Sequence, residues 1–324
     1  MLSLSVIIPY RESENVDRTV GFVHQACQKT GIAYEILLVS GNHPTRQRNQ
    51  CVKKAKYSWV YFIDNDTRVH IDTIVTVIST LEKYPDTKIL GGPAITPDDN
   101  TLLQKTFGAV FSSPLAVGKV AARYSPVGAL RTCTDKELIL CNLFVEREFF
   151  IQIGMFNDKL YPNEENEFIH RAVKAGYRVM YNPSLYIEKD QRERITDFIK
   201  QLVSYGRGRG EQTRIQADSF STVLIIPIAF FLYFISMPFF LMGSFLVNWD
   251  NLFRTLTVMP FIIYIPILLV SWLFVTIKYK KIFPLYPIIF WANHFFYGYG
   301  EIKGLLLKRF KAQDKDVYYN IVRP

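Results

Sequence analysis

The chain has 324 residues, a formal net charge of +9 and a pI near 9.2, with 49% hydrophobic residues and four cysteines. It is long enough for one sizeable globular domain plus a second element, and Cys27, Cys51, Cys133 and Cys141 lack the close pairing of a zinc site, so they read as reduced, buried thiols of a cytosolic domain. The basic balance raises nucleic acid as a partner, but the basic residues lie beside apolar runs and no nucleic-acid motif is present; anionic membrane lipids are the expected partner instead.

The first element is a short apolar strand at 4–9, ending at Pro9, and polar residues follow from Tyr10, so no secretory signal is expected at this end. A helix follows over 14–30 with Val16, Val20 and Val23 on one face, then a strand at 34–39 and a helical stretch at 46–56. The third strand, 59–63, runs directly into Asp64-Asn65-Asp66, and a helix over 73–83 places Ile74, Val77, Ile78 and Leu81 together. Alternating strands and helices predict an α/β fold with a mostly parallel sheet covered on both faces. Ligands of such sheets gather at the carboxyl ends of the strands, and Pro9-Tyr10-Arg11-Glu12, Ser40-Gly41-Asn42 and Asp64-Asn65-Asp66 all fall there. Two carboxylates one residue apart at a strand exit form an oxygen-rich site suited to a divalent cation facing a diphosphate, although an isolated pair of this kind also caps helices.

Beyond residue 219 the composition changes. The run 220–247 holds no charged residue, and 256–277 is a second run long enough to span a bilayer. A third, 282–299, carries two prolines, Asn293 and His294, and is expected to be re-entrant or interfacial; His294 is assigned no catalytic role. Arg207, Arg209 and Arg214 precede the first span, the connection 248–255 offers Arg254 alone, and Lys278, Lys280 and Lys281 follow the second, which predicts a cytoplasmic N-terminal domain. The expected organisation is a cytoplasmic domain over 1–218 with a juxtamembrane segment at 190–218, a membrane module over 219–300 and a basic tail over 301–324.

Residues 5–12 (Ser-Val-Ile-Ile-Pro-Tyr-Arg-Glu), Arg48-Asn49, Ile63 to Asp66, Gly91-Gly92-Pro93, Gly154 to Asn157, Asn163 to Phe168 and Arg171 together resemble the family 2 glycosyltransferases of GT-A fold, over about 4–215. The membrane-tethered, non-processive members that build exopolysaccharide and lipid-linked glycans, such as the succinoglycan glucosyltransferases, are most similar. Among them Tyr205 to Gly210 and His294 to Gly300 also have counterparts.

This resemblance implies an inverting, metal-dependent transfer of one sugar from a nucleotide-sugar donor to a lipid-linked, polyprenyl-diphosphate acceptor at the inner or plasma membrane, by a multi-pass protein working beside other glycan-assembly enzymes. It gives Asp66 as ligand of Mn2+ or Mg2+, Asp64 as a donor contact, and Glu165 as the general base, with Glu164 a possible substitute because the family's Glu-Asp pair is Glu-Glu here. Pro9, Tyr10, Arg11, Glu12, Ser40, Asn42, Arg48 and Asn65 complete the donor site, with Arg46 a second diphosphate contact or an exposed helix residue. Ser40 stands where relatives carry an acidic base contact, so the nucleotide (UDP, GDP or dTDP) is open. Arg207, Arg209 and Arg214 either hold acceptor phosphates or serve as a topology signal. A polyprenyl-phosphate sugar synthase and an inactive scaffold are the alternatives. The missing Gln-x-x-Arg-Trp element and the small number of spans weigh against a processive synthase.

Overall fold

A computed structural model describes residues 2–220, 224–246, 251–307 and 319–322. By contacts the chain divides into two compact units, Met1–Asn100 with Lys119–Gln191 and Arg309–Pro324, and Thr101–Gly118 with Arg192–Lys308. The segment from 192, expected to end the first domain, therefore packs with the second unit.

The first part of the chain runs β1 (Ser3–Tyr10), α1 (Asp17–Thr30), β2 (Ala33–Gly41), α2 (Pro44–Lys54), β3 (Trp59–Phe62), β4 (Thr67–Arg68), α3 (Ile71–Lys83), β5 (Thr87–Gly91) and β6 (Ala94–Ile95). Then come α4 (Leu102–Phe111), α5 (Pro114–Val117), β7 (Arg131–Thr132), β8 (Leu143–Glu146), α6 (Arg147–Gln152), α7 (Glu164–Lys174), β9 (Arg178–Tyr181) and β10 (Ile187–Lys189). The last are α8 (Ile195–Ile215), α9 (Ile225–Leu246), α10 (Asn251–Tyr279), α11 (Tyr286–Leu306) and β11 (Tyr319–Val322).

In the first unit the main sheet has the order β11-β2-β1-β3-β8-β5-β9-β7. The β2-β1-β3 part is parallel, as the alternation of strands and helices predicts, while β8 is antiparallel to both β3 and β5, so the whole sheet is mixed. Both faces are buried. Leu4, Val6 and Ile8 of β1 enter one hydrophobic cluster while Ile7, between them, enters the other, with Leu37 and Val39 of β2 joining Ile7. Side chains alternate across a strand, so a strand covered on both sides reads as an unbroken apolar run. The short strand β10 pairs antiparallel with β4 and parallel with β6, forming a second, three-stranded sheet. At the end of β5, Gly92 has no room for a Cβ against the Leu185 and Asn182 carbonyls, which is why the Gly91-Gly92-Pro93 corner needs glycine.

Of the basic tail, 301–306 belongs to α11 and 319–322 forms β11, an edge strand antiparallel to β2; Lys308, Arg309 and Lys311 lie outside the described residues. So do 248–250 of the connection before α10, which begins at Asn251.

In the second unit, α4 opens with a capping box in which Thr101 and Gln104 bond each other's backbone N–H groups. Among the described residues, two helices are long and apolar enough to cross a membrane, Ile225–Ser244 with mean hydropathy 2.2 and Asn251–Tyr279 with 2.4. Their large side chains are exposed, Ile226 to 59%, Phe239 to 67% and Leu273 to 60%, so these helices present apolar surface rather than burying it. The third apolar run becomes α11, which lies along the polar helix α8. Gly206 and Gly210 of α8 meet the α11 backbone at Tyr297 and Glu301, and Gly304 of α11 meets Arg207, so closely that no Cβ fits at any of the three. Small residues let two helix backbones approach, and Gly206 and Gly210 serve that packing.

Candidate functional site

The site of the first unit is built from the ends of β3 and β10 and from the N-terminal turns of α2 and α7. Trp59 to Phe62 is held between β1 and β8, so the chain leaving β3 delivers Asp64, Asn65 and Asp66 to the sheet edge. Thr19 Oγ1 of α1 donates to the Asn65 carbonyl at 2.7 Å and pins the turn. Asp64 and Asp66 are 31% and 34% exposed at their side chains.

Three cations converge on the acidic groups here. Arg48, on α2 and 6% exposed, donates from Nη1 to Glu164 Oε1 at 2.9 Å and from Nη2 to Asp64 Oδ1 at 3.1 Å. One guanidinium thus ties the Asp-Asn-Asp turn to the acidic start of α7, a fork geometry that suits arginine. Lys189, the last residue of β10, donates from Nζ to Asp64 Oδ2 at 2.7 Å and to Asp66 Oδ1 at 2.5 Å. Arg123 Nη1 lies 3.8 Å from Glu165 Oε1, and its Nη2 bonds Asn166 and the Asp135 carbonyl.

Electrostatics follow from burial and these pairings. Glu164 is 1% exposed and its Oε2 has no hydrogen-bond partner among the described residues. Burial pushes its carboxyl up; Arg48 pulls it back in part, and neighbouring Glu165 pushes the same way as burial. Burial pulls the Lys189 ammonium down, but Asp64 and Asp66 outweigh it and hold Lys189 charged, well above the ordinary lysine range. Arg48 behaves alike, with Glu164 and Asp64 overcoming burial.

The other expected donor residues sit at the same sheet edge. β1 and β2 run side by side, with Pro9 opposite Val39 and Tyr10 opposite Ser40. Pro9 and Ser40 are buried, Tyr10, Asn42 and Asn65 half-buried, and Arg11 and Glu12 exposed. The Arg11 N–H donates to Glu14 rather than leaving that turn open. Arg46 faces away, paired with Asp158 at 2.9 Å beside a cavity of about 730 Å³ lined also by Asn49, Lys53, Met155 and Arg171. Asn49 exchanges two hydrogen bonds with the Phe156 backbone, and Arg171 bonds the Ile153 and Met155 carbonyls, so both hold the 153–156 loop, where Gly154 and Met155 have positive φ.

Arg207 and Arg209 are each 5% exposed in the second unit, rather than open to a phosphate. Arg207 Nε lies 3.7 Å from Glu211, and Arg209 donates to Gln212 at 2.9 Å. Arg214 is exposed and caps α11 through the Gly304 and Leu307 carbonyls.

The sequence pattern did not single out Lys189, Arg123 or Tyr161. Burial raises the Tyr161 hydroxyl, while the Arg48 charge pulls it back in part. Lys189 carries little local signal: it ends a three-residue strand, Ile187-Glu188-Lys189, two of whose residues are charged, and only its pairing with β4 brings it to the Asp-Asn-Asp turn.

Asp66, with Asp64 beside it as a donor contact, was also expected to hold a divalent cation. Such an ion takes about six oxygens, at about 2.1 Å for Mg2+, whereas here the two facing carboxylate oxygens hold one ammonium between them. No group of three or more His, Cys, Asp or Glu side chains suited to a metal occurs among the described residues. In this arrangement the residues do not fit a divalent cation.

Comparison with known proteins gives three findings. The family described as "Glycosyl transferase family group 2" matches residues 59–291. A dolichyl N-acetyl-alpha-D-glucosaminyl phosphate 3-beta-D-2,3-diacetamido-2,3-dideoxy-beta-D-glucuronosyltransferase of Methanococcus voltae is 21% identical over 304 residues, 91% of this chain and 86% of that one. A mannosyltransferase of Pyrobaculum calidifontis, solved with GDP-Man and Mn2+, superposes with a TM-score of 0.52 at 11% identity, over 95% of this chain and 88% of that one. The α/β fold is of the GT-A type. With its family match running from β3 into α11, this chain belongs to the family 2 glycosyltransferases.

Proposed function

We propose that the enzyme transfers a single sugar, with inversion, from a nucleotide-diphosphate donor to a lipid-linked saccharide. The observation that carries this reading is Arg48, which joins Asp64 of the strand-end turn to Glu164 of the acidic pair and so gathers donor-side and acceptor-side carboxylates at one place. The acceptor hydroxyl attacks the anomeric carbon from the face opposite the diphosphate. As the new C–O bond forms, the bond to the diphosphate oxygen breaks and its electron pair leaves with the nucleoside diphosphate. Glu165 takes the hydroxyl proton. Arg123 lies close enough to orient it, and the buried, Arg48-bound Glu164 is a positioning residue.

The acceptor class is supported by the Methanococcus voltae relative, whose name gives a dolichyl-linked sugar phosphate as its acceptor. The exposed apolar helices α9 and α10 support a multi-pass membrane protein, with the catalytic unit cytoplasmic by the distribution of Lys and Arg. The test is incubation of the full chain in detergent with labelled UDP-, GDP- and dTDP-sugars and either a polyprenyl-diphosphate saccharide or a bare polyprenyl phosphate. Elongated lipid-linked saccharide with an inverted anomeric centre by NMR is the expected product. Transfer of the sugar to the bare polyprenyl phosphate instead of the saccharide, or retention, overturns the reading.

A further inference from the structure

We propose that Lys189 is the resident cation of the Asp64/Asp66 site, seated where a divalent metal would bind and presenting its positive charge to the donor's diphosphate. The proposal rests on the reading of the chain as using a nucleotide-diphosphate donor.

The placement of Lys189 is fixed by the fold. In the β4–β10 ladder Lys189 lies opposite Thr67, directly after Asp66, and Glu188 lies opposite Arg68. Glu188 accompanies Arg68 at 3.5 Å, while Lys189 turns to the Asp-Asn-Asp turn. The chain beyond is clamped: Asp190 accepts from Arg68 at 3.0 Å and from Asn100 at 2.8 Å, and Gln191 bonds Asn100 and Thr96. With the strand held at both ends, the ammonium can leave only by a change of side-chain rotamer.

Charge and geometry agree with a built-in cation. Asp64 and Asp66 contribute two negative charges; Lys189 bridges both, and Arg48, shared between Asp64 and Glu164, offsets Asp64 further before any ion enters. A metal at bonding distance from Asp64 Oδ2 and Asp66 Oδ1 would overlap a nitrogen 2.7 and 2.5 Å from those same atoms. An ammonium has three donors, of which the two carboxylates take two; the third is left for a diphosphate oxygen. No bond to Lys189 forms or breaks. Its charge stabilises the departing diphosphate electrostatically, as preorganised cations do in phosphate-leaving reactions.

The test is Mn2+ binding to the full chain in detergent, stripped with EDTA and followed by electron paramagnetic resonance, with and without UDP, GDP or dTDP. Wild type is expected to bind Mn2+ at least tenfold more weakly than Lys189→Ala and Lys189→Met, and Asp66→Asn added to either variant is expected to abolish the gained site. Circular dichroism checks that the variants fold. Wild-type transfer should survive EDTA, whereas the variants should need added Mn2+. Wild-type Mn2+ binding as tight as in the lysine variants and lost in Asp66→Asn overturns the proposal, and so does wild-type activity abolished by EDTA and restored by Mn2+. These wild-type measurements decide it even where a variant fails to fold. Should no nucleotide sugar be turned over by any form, the donor reading falls, while the binding contrast still reports whether Lys189 fills the site.

Discussion

Two stretches of this chain put charge on turn-prone or glycine-rich backbone, Asp64-Asn65-Asp66 and Arg207-Gly208-Arg209, and the fold treats them in opposite ways. The aspartates stay about one-third exposed at the end of β3, balanced by cations drawn from two other elements. The arginines are 5% exposed within the α8–α11 pair, near Glu211 and Gln212 of their own helix. Charge beside permissive backbone is therefore not enough to mark a ligand site. What distinguishes the two is whether the backbone forms a turn at a strand end or, through Gly206 and Gly210, a close helix crossing, and whether the charged tips are left within reach of a ligand.

The sharpest way to test the comparison is at the chemistry. Glu165→Gln is expected to lower the transfer rate by about 10²- to 10⁴-fold, the usual worth of a general base, while donor binding by calorimetry is retained. Unchanged turnover would detach the acidic start of α7 from the site.

Next comes Arg48→Met, which leaves Glu164 buried without its cation and is expected to cost about 3 kcal/mol in thermal unfolding. The pH dependence has a definite sign. Burial raises the folded-state pKa of Glu164, so the stability contributed by its proton is fully present below the ordinary carboxylate pKa and lost as pH rises through the raised value. Removing Arg48 extends that loss to higher pH. Wild type and variant should therefore diverge as pH increases, and parallel curves would sink this account of Glu164.

In the other region, Gly206→Ala places a methyl group against the Tyr297 carbonyl and is expected to destabilise the chain by about 1–3 kcal/mol. Asp66→Asn, by contrast, weakens a pair whose carboxylate is 34% exposed and whose lysine keeps Asp64, and should shift unfolding by less than about 1 kcal/mol. A reversal of that order would mean the aspartates are structural and the glycines dispensable. The smallest effect concerns the cysteines. All four are buried, and burial pushes the Cys27 thiol up to about 12 and raises Cys133 and Cys141, so a disulfide reagent at pH 8 should label none until the protein is unfolded.

Much of the catalytic unit was legible in the primary structure because its signals are local. The helix expected over 14–30 is α1 over Asp17–Thr30, and the strands expected at 4–9, 34–39 and 59–63 are β1, β2 and β3 with shifts of one or two residues. The segment Asn163 to Phe168 opens a helix: α7 begins at Glu164, with Asn163 at its N-cap at φ 90°, so the acidic pair lies in the first turn itself. Strands β8 and β11 carry no period long enough to read, and their antiparallel places in the sheet are set by partners far along the chain.

The amino-acid order by itself determined the α/β alternation, the apolar character of α9 and α10, and the presence of paired carboxylates at a strand end, because each depends on neighbours within a few residues. Only the tertiary structure decided which cations meet those carboxylates. Arg48 lies 16 residues before Asp64 and Lys189 lies 125 after it, and a β-ladder register, not sequence spacing, aims the lysine at the aspartates. The same holds for Arg207 and Arg209: their burial follows from the backbone approach of α8 to α11, a contact between segments about ninety residues apart that no local pattern encodes.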